Sequence, residues 1–173
     1  MNRFRAVPEE STFWAELESN VHPVRVSAKG IYGFLEGELD GEGKLWPAGS
    51  HRAHLAFWVE DLDSGNELRD IEMLRRMESR SYPSIEWVVK SVSKAGPERL
   101  RAAGQVTAHG RTRPFEADFR FSFADGRLVV EGNHVFDMRD FGIAPPRFFW
   151  LWIEPQVKVG VRIVARQVAP DKK

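Results

Sequence analysis

The stretch that decides the fold runs from Gln105 to Phe123 and reads QVTAHGRTRPFEADFRFSF. Its second half alternates strictly, with a period of two residues. One side of the alternation carries Phe115, Ala117, Phe119, Phe121 and Phe123, and the other side carries Glu116, Asp118, Arg120 and Ser122. This pattern is typical of a β-strand with one buried face and one solvated face. The sequence therefore predicts an amphipathic strand whose apolar face is almost entirely aromatic.

The phenylalanines of this face allow two interpretations. They can fill the core of an ordinary β-sandwich, because large aromatic side chains dominate such cores. They can equally line a cavity that holds an apolar molecule. The strand alone leaves both interpretations open, and the function of the protein depends on which of them holds.

Length and composition restrict the class of protein. A chain of 173 residues is long enough for one domain with a sizeable core. Its 25 basic and 25 acidic residues cancel, so bulk charge gives no reason to expect nucleic acid or an anionic membrane as a partner. The absence of cysteine fits a reducing compartment. The start, MNRFRAVPEES, lacks the apolar run of roughly 7–15 residues that export needs, and no segment approaches a membrane helix. We therefore expect a cytoplasmic protein that does not span a membrane.

Most of the chain alternates in the same way as the phenylalanine strand. About eight strands are predicted, with hairpin signals at Asp40-Gly41 and Asp125-Gly126, one short helix and no parallel crossover. Strands of this kind form an antiparallel sandwich or barrel, and eight strands are enough to enclose one small ligand. We expect a flexible lead-in over residues 1–10, a single β-barrel domain over residues 11–168 and a tail over residues 169–173.

The one predicted helix lies between Ser64 and Arg80. Ser64 and Glu67 have the spacing of a capping box, and Asn66 is a rival N-cap. Apolar residues recur every three positions, which favours a short or partly 3₁₀ helix. Tyr82-Pro83 ends it.

Three stretches together resemble the YceI-like family. They are SGNELRD…MLRRMESRSYPSIEW over residues 64–87, GQVTAHGRTRPF over residues 104–115 and DMRDFGI over residues 137–143. They are similar to an arginine-bearing helix with a Tyr-Pro strand entry, a His-Gly corner and an Asp-Phe-Gly segment of that family. Their order and spacing make the resemblance specific across residues 11–165.

The resemblance implies a lipocalin-like barrel that binds polyisoprenoid lipids. We therefore expect non-catalytic binding or carriage of an elongated apolar lipid, an isoprenoid quinone or a polyprenyl chain. No cofactor is expected besides such a lipid. The resemblance also leaves a homodimer open.

The candidate ligand-binding residues are inward apolar side chains of the predicted strands. They are Phe57, Trp87, Val89, Val106, Phe119, Phe121, Phe136, Trp150 and Trp152. Arg75 and Arg76 of the helix are candidates for contact with a polar head group at the barrel mouth. Their alternative role is a solvated helix face with i,i+4 ion pairs, which the interleaved glutamates favour.

An enzyme of the same fold is the alternative function. It would use His109 or His134 with a carboxylate as acid and base on a hydrophobic substrate. His109 lies before Gly110 in a tight corner, which favours a structural role. His51 and His54 are three residues apart on a strand and point to opposite faces, so we expect no metal site there.

Overall fold

A computed structural model describes residues 2–38, 51–148 and 150–169. Over these residues the chain forms eleven strands, one α-helix and three short 3₁₀ segments. The strands are β1 (Asn2–Ala6), β2 (Thr12–Ser19), β3 (Val24–Lys29), β4 (Tyr32–Gly37), β5 (Arg52–Trp58), β6 (Ser84–Gly96), β7 (Arg99–Ala108), β8 (Arg111–Ala124), β9 (Arg127–Asp137), β10 (Arg147–Phe148) and β11 (Leu151–Val168), and the helix is α1 (Glu67–Arg76). The 3₁₀ segments are Pro8–Glu10, Val59–Asp61 and Met138–Phe141. The predicted Asp40-Gly41 turn and all of the predicted tail except Ala169 lie outside the described residues.

The strands close into an eight-stranded antiparallel barrel. The circuit runs β1–β4–β5–β6–β7–β8–β9–β11, and β11 pairs with β1 again to complete it. β1 and β2 pair with successive parts of the same edge of β11, and β3 pairs with β2. This confirms the predicted fold class, an all-β, lipocalin-like barrel with one short helix.

The first residues of the chain correct one expectation. Residues 1–10 were predicted to be a flexible lead-in, but Asn2–Ala6 form a strand with partners on both sides. Phe4 and Ala6 point inward and are 1% and 3% exposed. The same alternation of apolar and polar residues is present here as elsewhere, over only five residues. So short a run cannot be told from a polar loop without its neighbouring strands.

The alternation of β8 is confirmed residue by residue. Phe115 and Ala117 are buried and the later phenylalanines are half-buried, while Glu116 and Asp118 are exposed. The outer carboxylates pair across the strands, since Arg101 Nε lies 2.9 Å from Asp118 Oδ1 on β7's partner strand. That hydrogen bond lowers the pKa of Asp118. The solvated face of this strand therefore carries exposed ion pairs, as its sequence predicts.

The helix is shorter than predicted and begins at a different cap. Asn66 is the N-cap, because its side chain accepts a hydrogen bond of 3.0 Å from the Arg69 backbone N–H. Ser64 instead donates its hydroxyl to Asp70 Oδ1 at 2.6 Å, so the capping box does not form. The helix ends at Arg76, and Glu78 adopts a positive φ of 49° soon after it. Among the described residues, no helix is long and apolar enough to cross a bilayer.

Candidate functional site

The barrel interior contains two adjoining apolar cavities. The first, which we call the hairpin-end cavity, lies toward the end of the barrel that carries the β6–β7 and β8–β9 turns. It has about 1120 Å³ of empty space, including the part open to solvent. The second, the helix-end cavity, lies beside α1 and the 3₁₀ segment Met138–Phe141, and has about 930 Å³ counted in the same way. Their walls are almost entirely hydrocarbon and aromatic, which suits an apolar ligand.

Three side chains from three strands line both cavities. They are Trp87 of β6, Phe136 of β9 and Val159 of β11, and we call this set the waist. Closure of the barrel brings these distant residues to one level of the interior. The waist lies between the two cavities, so the interior is neither a filled core nor one wide channel.

Six of the nine predicted ligand-binding residues line these cavities. Trp87, Val89, Phe119, Phe121 and Phe136 line the hairpin-end cavity, and Val106 lines the helix-end cavity together with Trp87 and Phe136. Their place in the cavity walls follows from the strand alternation, since all six point inward. Contact between these side chains and a ligand remains a prediction.

Phe57 points inward but belongs to the packed core. It is 0% exposed, and its ring stacks on Phe13 at a centroid distance of 4.6 Å and lies 5.5 Å from the ring of Trp87. It lines neither cavity. The structure places Phe57 in the core and not in a cavity wall, because alternation along a strand identifies an inward residue but not what fills the space in front of it. Its contact with a ligand stays a prediction.

Trp150 and Trp152 also lie away from the cavity walls. They are 75% and 45% exposed and lie outside the two cavities, at the β10–β11 hairpin. The Asn20 side chain holds this hairpin, since its amide N–H₂ donates to the Trp150 carbonyl and its oxygen accepts from the Trp152 N–H. β11 pairs with β9 only from Gln156 onward, so its first residues lie beyond the paired part of the barrel wall.

The two head-group candidates of α1 have different positions. Arg76 lines the helix-end cavity and its side chain is 23% exposed, whereas the Arg75 side chain is 68% exposed and lines neither cavity. Both guanidinium groups bind Glu72, Arg75 at 2.7 and 2.9 Å and Arg76 at 2.9 Å. Arg75 therefore does not reach either cavity. Arg76 lies in the wall of the helix-end cavity, and its charge is paired with Glu72.

This ion-pair cluster predicts an acid-sensitive helix. Hydrogen bonds from Arg75 and then Arg76 lower the pKa of Glu72 from 4.5 to about 2. A carboxyl with a lowered pKa in the folded state contributes stability above its unfolded pKa, and that contribution is lost as the pH falls through the folded value. The stability difference between the wild type and Glu72→Gln should therefore be full above pH 4.5 and should shrink toward pH 2.

Chemical denaturation of both proteins at a series of pH values measures this difference. High salt should reduce it in part, because the cluster is partly exposed and its Arg75–Glu72 pair is screened. A difference that stays constant from pH 6 to about pH 2 would show that the arginines do not stabilise the ionised form of Glu72.

His109 occupies an outer corner of the barrel. Its φ is 52°, and with Gly110 at 71° it forms the two-residue turn between β7 and β8. Its Nδ1 donates to the Phe141 carbonyl at 2.9 Å, and its Nε2 lies 2.5 Å from Glu78 Oε2. It lines neither cavity. The sequence offered no carboxylate that could orient His109, and the structure supplies Glu78. The pair lies at a corner where hydrogen bonds connect the end of β7 to Phe141 and to Glu78 after α1.

His134 lies where the barrel wall opens toward solvent. β8 and β9 pair only from Phe119 to Ala124, and beyond the Phe119–Gly132 pair the two strands diverge. A polar surface cleft at this gap shares Phe119, Gly132 and His134 with the hairpin-end cavity. The His134 ring packs edge-on against Phe136, with a centroid distance of 4.7 Å. His134 is therefore a wall residue beside a side gap.

His51, which the sequence suggested only as a poor metal ligand, is a buried polar residue. It is 5% exposed and lines the hairpin-end cavity, and neither ring nitrogen has a hydrogen-bond partner among the described residues. His54 is on the opposite face of β5, with its side chain 51% exposed and 3.7 Å from Glu86. The parity of β5, in which Ala53 points inward, is the signal that could have placed His51 inside. Over the described ranges, no three His, Asp or Glu residues group in a way that could hold a metal ion.

Comparison with known proteins places this geometry in context. The family profile described as YceI-like domain matches residues 11–165. No curated protein matches the chain. Two crystal structures share the architecture over nearly the whole chain. Burkholderia cenocepacia BcnA aligns with a TM-score of 0.78 and 13% identity, over 92% of this chain and 98% of that one.

The second is a polyisoprenoid-binding domain from Saccharophagus degradans, implicated in plant cell wall breakdown. It aligns with a TM-score of 0.74 and 11% identity, over 95% and 98% of the two chains. A Campylobacter jejuni YceI protein aligns with a TM-score of 0.67 and 13% identity, over 85% of this chain and 86% of that one. At such low identities these structures show that the fold is shared.

Proposed function

The chain belongs to the YceI-like family, and from this we propose that its barrel binds and carries an elongated apolar lipid, an isoprenoid quinone or a polyprenyl chain. Binding, without chemical conversion of the lipid, is the proposed activity. One of the structures with this fold is described as a polyisoprenoid-binding domain, which supports the class of ligand.

The observation that carries the proposal is the pair of apolar cavities that meet at the waist. The hairpin-end cavity is lined by aromatic and aliphatic side chains from β5 to β11, and the helix-end cavity continues past Trp87 to Met73 and Met77. A chain molecule suits such a space better than a compact one, because it can extend through both chambers. The methionines add adaptable walls at the helix end, since their side chains adjust to irregular shapes.

The energetics favour tight binding without any charged contact. Burial of one CH₂ group is worth about 0.8 kcal/mol, so ten buried carbons contribute roughly 8 kcal/mol. Association and ordering of the ligand cost about 4 kcal/mol or more. A long hydrocarbon chain therefore exceeds this cost through its tail alone, and a sequence motif for the head group is not needed.

The surroundings of His109 support carriage over catalysis by that residue. His109 has its two ring nitrogens at the Phe141 carbonyl and Glu78 in the β7–β8 corner. A general base needs to reach the proton it abstracts within hydrogen-bond distance. His109 lines neither cavity, so a ligand in the barrel would lie beyond its reach.

Two measurements test the proposal. Mass spectrometry of an organic-solvent extract of the purified protein should find an isoprenoid lipid, and lipid-free protein should take up an added isoprenoid quinone. Displacement of a fluorescent apolar reporter gives the affinity. An extract without lipid, combined with no uptake of quinone by folded protein, would contradict the proposed function.

A further inference from the structure

Two polar residues at the hairpin end of the barrel, Glu36 and His51, differ in whether neighbouring side chains satisfy them. Glu36 lines the hairpin-end cavity, and Arg52 Nε lies 2.5 Å from its carboxylate, with Arg3 Nε at 3.7 Å. This carboxylate is therefore neutralised by its neighbours. His51 lines the same end of the cavity and is the exception, because neither of its ring nitrogens has a partner within residues 2–38, 51–148 and 150–169.

The position of the His51 ring depends on a glycine. A Cβ on Gly37, on the neighbouring strand, would lie 2.6 Å from His51 Nδ1 and 3.2 Å from Cε1. Contacts below 3.0 Å do not occur for real side chains, so a larger residue at 37 would displace the ring. The chain therefore leaves room for an imidazole at this point of an otherwise apolar wall.

A buried imidazole without partners is costly. A neutral histidine offers one N–H donor and one nitrogen acceptor, and a buried polar group that makes no hydrogen bond loses the hydration it had in the unfolded chain. Native proteins rarely keep such a group unsatisfied without a reason, and a bound ligand atom is one such reason. The hairpin-end cavity in front of His51 is the space that such an atom would occupy.

We propose that His51 forms a hydrogen bond with a hydroxyl or carbonyl oxygen at the head of the apolar ligand, and so fixes the head at the hairpin end. The chain then extends through the waist toward α1. The inference rests on the proposed function and adds the polar end of the ligand and its direction. Arg76 at the helix end is the competing anchor, but its guanidinium already binds Glu72 at 2.9 Å.

The test is a cycle of two ligands and two proteins. The ligands are geranylgeraniol and the hydrocarbon with the same chain but no hydroxyl, and the proteins are the wild type and His51→Phe. Affinities come from displacement of a fluorescent apolar reporter. The ratio of alcohol to hydrocarbon affinity should fall about tenfold in His51→Phe, as expected for the loss of one hydrogen bond. The two ligands differ in aqueous solvation, but this difference is the same for both proteins and cancels when the two ratios are compared.

Two further variants define the readout. His54→Phe changes a histidine three residues away on the outer face and should leave the ratio unchanged. Gly37→Ala keeps the imidazole but displaces it, and should lower the ratio as His51→Phe does. In the wild type, the ¹⁵N resonances of the His51 ring should shift on addition of geranylgeraniol and not on addition of the hydrocarbon.

The possible outcomes distinguish failure of the His51 proposal from failure of the proposed function. Binding of both ligands by the wild type, with the same ratio in His51→Phe and no ¹⁵N shift, would overturn the role of His51 and leave the proposed function intact. A fall of the ratio in Arg76→Gln instead would place the head at the helix end and overturn the inference. Failure of the wild type to bind either ligand would overturn both.

Discussion

Replacement of Val159 by tryptophan should sharply reduce the affinity for long chains and leave the affinity for short chains almost unchanged. Val159 lines both cavities at the waist, together with Trp87 and Phe136. An indole at this position would fill the constriction and confine a ligand to one chamber. Each methylene that can no longer be buried loses about 0.8 kcal/mol, so exclusion of a five-carbon unit costs about 4 kcal/mol, or roughly three orders of magnitude in Kd.

The measurement is the affinity of a series of isoprenoid alcohols of increasing length. In the wild type, affinity should rise with every added unit until both chambers are filled, whereas in Val159→Trp the rise should stop early. Val135→Trp is the matched control, because Val135 is 57% exposed on the neighbouring strand and its replacement adds the same ring outside the cavities. Equal length dependence in folded Val159→Trp and wild type would mean that no ligand crosses the waist.

The second large effect is on stability and distinguishes core rings from cavity rings. Phe57→Ala should lower the free energy of unfolding by about 3–5 kcal/mol, the usual cost of removing a fully packed phenylalanine. Phe57 is 0% exposed and lies between Phe13 and Trp87. The surrounding strands belong to a closed barrel and cannot collapse far into the space that the ring leaves.

Phe119→Ala is the comparison, since the same ring type on β8 lines the hairpin-end cavity and the side gap. Its loss removes fewer contacts and should cost less than about 2 kcal/mol. It should also shift ligand preference toward bulkier chains, because the cavity becomes wider. Denaturant unfolding gives both stabilities. Equal losses for the two variants would show that Phe119 is a core residue and that the cavity wall at this point is packed solid.

The sequence was sufficient for the strands and for the direction of their side chains. Alternation in β8 predicted which residues point inward, and the structure confirms it for Phe115, Ala117 and Phe119. Period-two alternation is a local property of an extended backbone, so it can be read without knowledge of neighbouring strands. The same reasoning failed at β1, where five residues were too few to stand out from a polar loop.

Sequence reasoning about the site succeeded where inward direction was enough. Trp87, Val106 and Phe136 point inward and line the cavities, and His109 lies in the predicted β7–β8 corner. Phe57, Trp150 and Trp152 lie outside the cavity walls, because aromatic content does not say whether a ring meets another ring, an empty space or solvent. His51 was weighed only with His54 as a metal ligand, because a single histidine carries no motif for ligand binding.

By itself the sequence determined the strands, the inward face of each strand and, through three short motifs, the likeness to a barrel family, because these depend on patterns within short segments. Only the tertiary structure decided which inward side chains touch one another, where the interior stays empty and where it narrows to the waist. Those features depend on distances between residues far apart in the chain, such as Trp87 and Val159. Such distances are set by barrel closure and by the curvature of the sheet, and neither is encoded in any one strand.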